Sequence, residues 1–387
     1  MTRLRLARDF LSACEGIGTG RLRLRTPEGH VHDFGSEGLE AEMEIRDWAA
    51  VSALLARGDI GFGEGHVQGL WDSPSIEALT TLALANEARL RRYTRPDPWN
   101  RLKIAALDRW LRTGSLAQAR RNVRAHYDLG NEFYLEWLDP GMTYSSALFA
   151  PGDDDLHRGQ RRKYDRALDR LGKGVNGGER LLEIGCGWGG LAERAADRGH
   201  AVTAVTLSPS QKGYADARLD GRARIELCDY RATTGTYDGV VSIEMIEAVG
   251  ERRWPTYFAT LKARLAEGGR AMIQAITVPD ERFPRYRRGS DYLRHATFPG
   301  TTLPCPSALT TGAAQAGLRA ENLFDFGQDY ARTCRIWAAR MAARRDRLAR
   351  LGHGEATLRH WRYYLESSAA GFAAGRTGVV QLELRHA

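Results

Sequence analysis

The sequence predicts an α/β protein in which a mostly parallel sheet carries helices on both faces, with a small α+β unit before it. Short apolar runs alternate with helical stretches from residue 180 onward, which is the pattern of a parallel sheet. The runs are 180–184, 201–207, 225–228, 239–243 and 270–277. Upstream, LRLRTPEGHVHDF at 22–34 alternates around a Pro-Glu-Gly turn and predicts a hairpin.

The N-terminal unit is predicted to continue with a helix at 45–56 and another at 75–90. Between them, residues 60–72 contain so many glycines that we expect no regular element there. Two prolines at 93–100 indicate a linker. A length of 387 residues fits two domains, so the predicted division is an α+β domain at 1–98 and a larger domain at 99–387.

Two later segments combine apolar and basic residues. Residues 102–124 predict a basic amphipathic helix that can lie on anionic lipid headgroups, and a helix with a solvated basic rim is the alternative. Residues 331–351 predict a second basic helix, and 376–385 a final strand.

Composition narrows the class of protein. The formal charge of +8 favours an anionic partner without choosing among phosphate, nucleic acid and an acidic bilayer. The five cysteines are scattered and never form a C-x-x-C pair, so we expect neither a disulfide framework nor a metal site. No apolar window predicts a signal peptide or a membrane span, which favours a cytoplasmic protein.

A glycine-rich turn follows the first predicted strand of the sheet and leads directly into a helix. It reads E-x-G-x-G-x-G through Glu183, Gly185, Gly187 and Gly189. Glycines let the backbone turn sharply beside a ligand, and the helix N-terminus offers unpaired N–H groups. The acidic side chain inside the strand is placed to meet an ammonium group, which favours S-adenosylmethionine over a dinucleotide.

The next two strands support this choice of cofactor. The second ends near Thr206 and Leu207 without the acidic residue that holds a nicotinamide ribose about 20 residues after the first glycine. After the third, Asp229 stands where class I methyltransferases commonly contact the adenine ring. The sequence therefore predicts a class I, Rossmann-like methyltransferase sheet. A structural glycine turn in another α/β protein is the alternative.

Residues 126–149 read HYDLGNEFYLEWLDPGMTYSSALF, which resembles the signature preceding the methyltransferase core in cyclopropane fatty acid synthases and mycolic acid cyclopropane synthases. Further matches follow the family's order along most of the chain. They are GFGEGHVQGLWD at 61–72, LLEIGCGWGGLA at 181–192, VTLSPSQ at 205–211, VSIEMIEAVG at 241–250, FPGTTLP at 298–304 and YYLESSAAGF at 363–372.

This resemblance implies an S-adenosylmethionine-dependent C-methyltransferase that binds the inner face of the membrane peripherally. Its substrate would be a double bond in a phospholipid acyl chain, and its product a cyclopropane fatty acyl chain. Cofactor contacts carry over to Tyr144, Ser145, Gly185, Gly187, Thr206, Leu207 and Gln211. The family's reaction centre holds a bicarbonate ion, and its positions carry over to Ser146, Glu247, Gln274, Tyr330 and the backbone of Ile276.

The chain departs from the family pattern at three positions. Ser146 and Ser368 stand where the family commonly has cysteine, and Gln274 stands where it has histidine. Serine and glutamine keep hydrogen-bonding capacity, but a neutral amide cannot relay a proton near neutral pH. EMIEAVG at 244–250 with QAIT at 274–277 resembles members that form methyl or methylene branches, so a branched product is the alternative to a ring.

Other functions stay open at this stage. One is a class I methyltransferase acting on another lipid or on a small molecule, and a second is a non-catalytic lipid-binding protein. Nucleic-acid binding is disfavoured because the basic stretches carry no base-stacking motif. The sequence leaves a homodimer open.

Overall fold

The computed structural model describes residues 3–90, 93, 129–171 and 178–387. The predicted linker, apart from Tyr93, and the predicted basic helix at 102–124 lie outside these residues. Contacts group the chain into two compact units. The first joins the described part of the first 110 residues with Arg288–Thr297 and Cys334–Ala374. The second contains the described part of Leu111–Arg287, Phe298–Thr333 and Gly375–Ala387. The domain division at residues 98 and 99 stays a prediction.

The first unit is built on a mixed sheet with strand order β2-β1-β3-β4. Its N-terminal elements are α1 (Arg3–Cys14), β1 (Arg21–Arg25), β2 (Val31–Gly35), β3 (Glu40–Ile45), α2 (Ala49–Arg57), α3 (Asp59–Val67), β4 (Trp71–Asp72) and α4 (Ile76–Ala85). Strands β1 and β2 are antiparallel, which confirms the hairpin. The helix predicted at 45–56 begins later, because residues 40–45 alternate between exposed and buried positions and form β3.

Helix α3 shows that one prediction was wrong, because the glycine-rich stretch at 60–72 contains a regular element. Its glycines allow close packing within the first unit. A Cβ at Gly61 would lie 2.1 Å from the carbonyl oxygen of Ala53 in α2, and one at Gly63 would lie 2.3 Å from the ring of Tyr292. The entropic cost of glycine in a helix is therefore offset by packing that no larger residue permits.

The second unit contains a seven-stranded sheet in the described residues, with order β10-β11-β9-β8-β5-β6-β7. The strands are β5 (Arg180–Ile184), β6 (Ala201–Thr206), β7 (Ala223–Leu227), β8 (Tyr237–Ile243), β9 (Leu265–Thr277), β10 (Leu318–Asp325) and β11 (Gly378–His386). Strands β5 to β9 pair in parallel, while β10 and β11 are antiparallel. All five strands predicted from apolar runs and the final strand are confirmed, whereas β10 was not predicted.

The remaining helices flank this sheet or return to the first unit. They are α5 (Asn131–Leu135), α6 (Leu156–Asp169), α7 (Gly190–Asp197), α8 (Pro209–Leu219), α9 (Ile246–Val249), α10 (Trp254–Arg264), α11 (Phe283–Tyr286), α12 (Pro306–Gln315), α13 (Gly327–Ala343), α14 (Arg345–Arg350) and α15 (Glu355–Ala373). The basic stretch at 331–351 falls on α13 and α14, which are separated at Arg344.

Both faces of the parallel sheet are buried, as the sequence predicts. Consecutive residues of β5 point to opposite faces: Leu181 belongs to the same buried cluster as Leu168 of α6, and Leu182 to the cluster that contains Phe258 of α10. This arrangement explains why the strands are almost continuously apolar. It also leaves the carboxyl ends of β5, β6 and β8 together at one edge, where ligands of such sheets bind.

Candidate active site at the carboxyl edge of the sheet

The glycine turn after β5 leaves open space above its backbone. Gly185 and Gly187 have φ values of +85° and +52°, in the left-handed region that favours glycine. A Cβ added at Gly187 would meet nothing within 4 Å. Gly189 precedes α7, also with positive φ. The turn therefore presents bare backbone next to a helix N-terminus.

Glu183 lies under this turn as a buried carboxyl group. Burial raises its pKa to about 8, although a hydrogen bond from the backbone N–H of Ala192 and the charge of Lys163 both favour the ionised form. Among the described residues, its Oε2 atom has no hydrogen-bond partner. A buried acceptor without a partner is costly, so this atom is suited to a cationic group brought by a ligand.

The residues predicted around the adenosine part of the cofactor divide into two groups. Thr206 donates a hydrogen bond of 2.9 Å to Oε1 of Gln211, and both side chains are buried beside Leu207 at the end of β6. Asp229 instead binds within the chain: Nε and Nη2 of Arg231 lie 2.6 and 2.9 Å from its two oxygens. Its contact with an adenine ring stays a prediction.

A buried lysine that the sequence analysis missed lies next to the predicted cofactor residues. Nζ of Lys163 donates a 2.6 Å hydrogen bond to Oγ of Ser145. Burial lowers the pKa of Lys163 to about 7, while the charges of Glu244 and Glu183 act in the opposite direction. The neighbouring Tyr144 ring packs against aromatic residues of the preceding segment. Lys163 was missed because α6 is rich in basic residues and predicts a solvated face.

Glu247 lies in the short helix α9, after β8. Its Oε1 accepts a hydrogen bond of 2.5 Å from the backbone N–H of Ile276 in β9. Within the described chain, Oε2 has no hydrogen-bond partner. Burial, and then the charge of Glu244, raises the pKa of Glu247 to about 8. Two members of the predicted reaction centre, Glu247 and the backbone of Ile276, are therefore in direct contact.

Three other members of that centre converge on Glu244, which the sequence analysis did not single out. Tyr330 donates its hydroxyl to Oε2 at 2.7 Å, and Nε2 of Gln274 donates to Oε1 at 2.7 Å. The backbone N–H of Ser146 donates to Oε1 at 3.0 Å. Glu244 has a φ of +49°, which is uncommon for a residue with a side chain. Its position directly after buried strand β8 was the signal that could have revealed it.

The orientation of Gln274 is determined by its other neighbour. Its Oε1 accepts a hydrogen bond of 3.0 Å from Nε2 of Gln381 in β11, whose Oε1 accepts one of 2.5 Å from Arg166. The amide nitrogen of Gln274 therefore faces Glu244. The hydroxyl of Ser146 donates to the carbonyl oxygen of Ala147 at 2.9 Å. Ser146 contributes its backbone N–H to the cluster.

The glycine turn and the carboxylates form one site. Met245 lies between Glu244 and Glu247 in the sequence, and its Cγ would be 3.0 Å from a Cβ at Gly185. Ser368, the third departure, is in α15, which belongs to the first unit. Within the part of the chain that the structure describes, no group of His, Cys, Asp and Glu side chains is arranged to hold a metal ion.

Comparison with known proteins decides the family. The family model of mycolic acid cyclopropane synthetase matches residues 115–382. The chain belongs to this family. Tuberculostearic acid methyltransferase UfaA1 of Mycobacterium tuberculosis is 38% identical over 383 residues, which cover 96% of this chain and 86% of that protein.

Two further comparisons support membership of the same family. Cyclopropane-fatty-acyl-phospholipid synthase of Escherichia coli is 29% identical over 336 residues, covering 86% of this chain and 85% of that protein. The structure of mycolic acid cyclopropane synthase CmaA1 complexed with SAH and CTAB has a TM-score of 0.64 at 28% identity, covering 68% of this chain and 97% of that one. This mycolic acid cyclopropane synthetase family member is an S-adenosylmethionine-dependent methyltransferase that modifies lipid acyl chains.

The residues present fit S-adenosylmethionine. The open space above Gly187 admits a ligand next to the backbone, and the unpartnered Oε2 of Glu183 suits its ammonium group. When bound, the cofactor supplies a methyl group on a sulfonium. The residues do not fit bicarbonate in the same way. Gln274, Tyr330 and the backbone N–H of Ser146 already bind Glu244, and the backbone N–H of Ile276 binds Glu247.

Proposed function

We propose that this enzyme transfers a methyl carbon from S-adenosylmethionine to a double bond in an unsaturated acyl chain of a membrane phospholipid, leaving a methylene branch. The observation that carries the proposal is the pair of carboxyl groups beside the glycine turn, the partly buried Glu244 and the buried Glu247. Methylation of an alkene creates positive charge on the adjacent carbon, and a proton must then leave. An anion and a proton acceptor meet these two needs.

Glu247 is the proton acceptor in this proposal. Its Oε2 lacks a partner among the described residues, and its raised pKa of about 8 lies near a neutral working pH, where a general base is most effective. Loss of a proton from the added methyl group with ring closure gives a cyclopropane. Loss of that proton after a hydride shift gives a methylene branch. Neither route needs a reductant, whereas a saturated methyl branch needs an added hydride.

Two features favour the methylene branch over the cyclopropane. Gln274 replaces a titratable imidazole with a neutral amide, which changes the path of the proton. The similarity to tuberculostearic acid methyltransferase UfaA1 extends over 96% of the chain. The cyclopropane is the second candidate, supported by the similarity to the cyclopropane-fatty-acyl-phospholipid synthase of Escherichia coli.

The test is incubation of the purified protein with monounsaturated phospholipid vesicles and methyl-labelled cofactor, followed by analysis of the fatty acid methyl esters. The two candidate products are isomers, so mass alone does not separate them. Ozonolysis before gas chromatography and mass spectrometry cleaves a methylene branch to a ketone and leaves a cyclopropane intact. Saturated phospholipid is the control. Label transferred equally to the saturated lipid would contradict methylation of a double bond.

The proposed site of action is the bilayer surface. In the described residues, no helix is long and apolar enough to cross a membrane. The net charge of +8 favours contact with anionic lipid headgroups. Location on the inner, cytoplasmic face stays a prediction from the sequence.

A further inference from the structure

The anion position of the family's reaction centre already contains a side chain of this protein. Two side chains expected to bind bicarbonate, Gln274 and Tyr330, donate to the carboxylate of Glu244, and the backbone N–H of Ser146 also donates to it, at 2.7 to 3.0 Å. They approach both of its oxygens. A carboxylate presents the same pair of oxygens as bicarbonate, so the two anions satisfy the same donors.

We propose that Glu244 takes the place of bicarbonate, so that this enzyme stabilises the nascent carbocation with a carboxylate of its own chain and needs no dissolved anion. The inference rests on the proposed function, because it assigns a role in methylation of an alkene. It also explains why Gln274 departs from the family pattern: its partner is an anchored side chain.

Hydrogen bonding matches Glu244 to its ionised form. Gln274 presents its amide nitrogen because Gln381 occupies its oxygen, and the Ser146 contact is a backbone N–H. Donors that face a carboxylate from several directions stabilise the negative charge. The charge of Lys163 acts in the same direction. Desolvation raises the pKa of the partly buried Glu244, whereas these hydrogen bonds and the charge of Lys163 oppose that rise and favour its ionised form.

A second anion would be unfavourable at this position. Bicarbonate would have to displace Glu244 from its three donors or lie beside another negative charge, and both alternatives cost free energy. The left-handed φ of +49° at Glu244 is a local cost that its three hydrogen bonds offset. A backbone outlier stabilised in this way is typical of functional sites.

The two carboxyl groups therefore have different tasks. Glu244 is anchored through three donors and supplies fixed negative charge. Glu247 has one donor, from Ile276, and one oxygen without a partner in the described residues, so it is able to accept a proton. Neighbouring carboxyl groups whose surroundings differ in this way commonly divide the electrostatic and acid-base roles.

The decisive variants are Glu244→Gly and Glu244→Gln. Glycine removes the carboxylate, frees the three donors and suits the left-handed backbone, so the variant should fold. Glutamine removes the charge but still fills the space. In buffer depleted of carbon dioxide, wild-type turnover of monounsaturated phospholipid should be unchanged by added bicarbonate. Both variants should lose about a hundredfold in rate, and bicarbonate should restore only the glycine variant.

Two measurements complete the test. Carbon-13 NMR with labelled bicarbonate should show a bound ion in Glu244→Gly and none in wild type. Calorimetric titration with S-adenosylmethionine should give unchanged affinity in both variants, which shows that they are folded. Asp220→Gly is the matched control, because Asp220 also has positive φ, at +45°, but caps the exposed end of α8.

Three results would overturn the inference: stimulation of wild type by bicarbonate, a wild-type rate in Glu244→Gln, or no rescue of a Glu244→Gly protein that still binds the cofactor. Failure of the proposed function is a separate outcome. In that case wild type would transfer no methyl group to unsaturated phospholipid under any bicarbonate concentration.

Discussion

Replacing Glu247 with glutamine should change stability and activity in opposite directions over one pH range. Glutamine mimics the protonated carboxyl group and keeps an oxygen for the N–H of Ile276. The pKa of the Glu247 carboxyl group is 4.5 when unperturbed, and burial raises this pKa to about 8 in the folded protein. Because folding disfavours its ionised form, the stability it contributes is complete below pH 4.5 and is lost as the pH rises through about 8.

The size of this effect follows from the pKa difference. Each pKa unit corresponds to about 1.4 kcal/mol. At high pH the free energy of unfolding of wild type should therefore be lower than that of Glu247→Gln, with an upper bound on the difference on the order of 5 kcal/mol. The difference in free energy of unfolding between the two proteins should be near zero at acidic pH, grow between pH 4.5 and about 8, and stay constant at higher pH. Scanning calorimetry of the two proteins across this range measures it. Glu251→Gln is the control, because Glu251 pairs with Arg287 at the surface.

Turnover supplies the second half of this prediction. A base acts in its ionised form, so the wild-type rate should rise with pH up to about 8 and then level off. Glu247→Gln should be slower by about two orders of magnitude, without this pH dependence. If the melting temperatures of wild type and Glu247→Gln changed equally with pH, the raised pKa assigned to Glu247 would be refuted. A near-normal rate in Glu247→Gln would refute its role as the base.

Four further predictions test the fold, the cofactor site, the product and the membrane contact. Gly61→Ala should lower the melting temperature because its Cβ would lie 2.1 Å from the Ala53 carbonyl oxygen, whereas Gly213→Ala, with no atom within 4 Å, should stabilise helix α8 by about 0.5–1 kcal/mol. Equal shifts in thermal unfolding would contradict the packing argument. Glu183→Gln should weaken S-adenosylmethionine binding about tenfold or more in calorimetric titration, because a charged hydrogen bond is lost; unchanged affinity would remove Glu183 from the cofactor site. Gln274→His should change the ratio of cyclopropane to branched product more than the rate of cofactor consumption, and a constant ratio by gas chromatography would show that residue 274 does not direct the proton. Vesicle sedimentation should show stronger binding to anionic than to zwitterionic lipid and weaker binding in high salt; equal binding would leave the solvated-rim interpretation of the basic stretches.

Local sequence patterns were sufficient to predict most strands of the large sheet. Strand β5 and the glycine turn follow from a run of apolar residues and from spacing alone, and both lie where the sequence predicts them. The same reasoning was wrong for α3, because glycines count against a helix when packing is ignored. It also missed β10, where Glu321-Asn322 and Leu323-Phe324 interrupt the alternation of polar and apolar residues and where β11 is the one paired strand in the described residues. Stability in these elements comes from neighbours that are distant in the sequence.

The sequence by itself determined the cofactor turn, the parallel sheet and the family, because each depends on residues that are close together in the chain. Only the tertiary structure decided which groups meet in the reaction centre. Glu244 and Glu247 are three residues apart in one motif, yet one binds three donors from separate segments and the other binds a single N–H. That difference arises from the order of the strands, the left-handed backbone at Glu244 and the burial of Glu247, and physical interactions of this kind act through space.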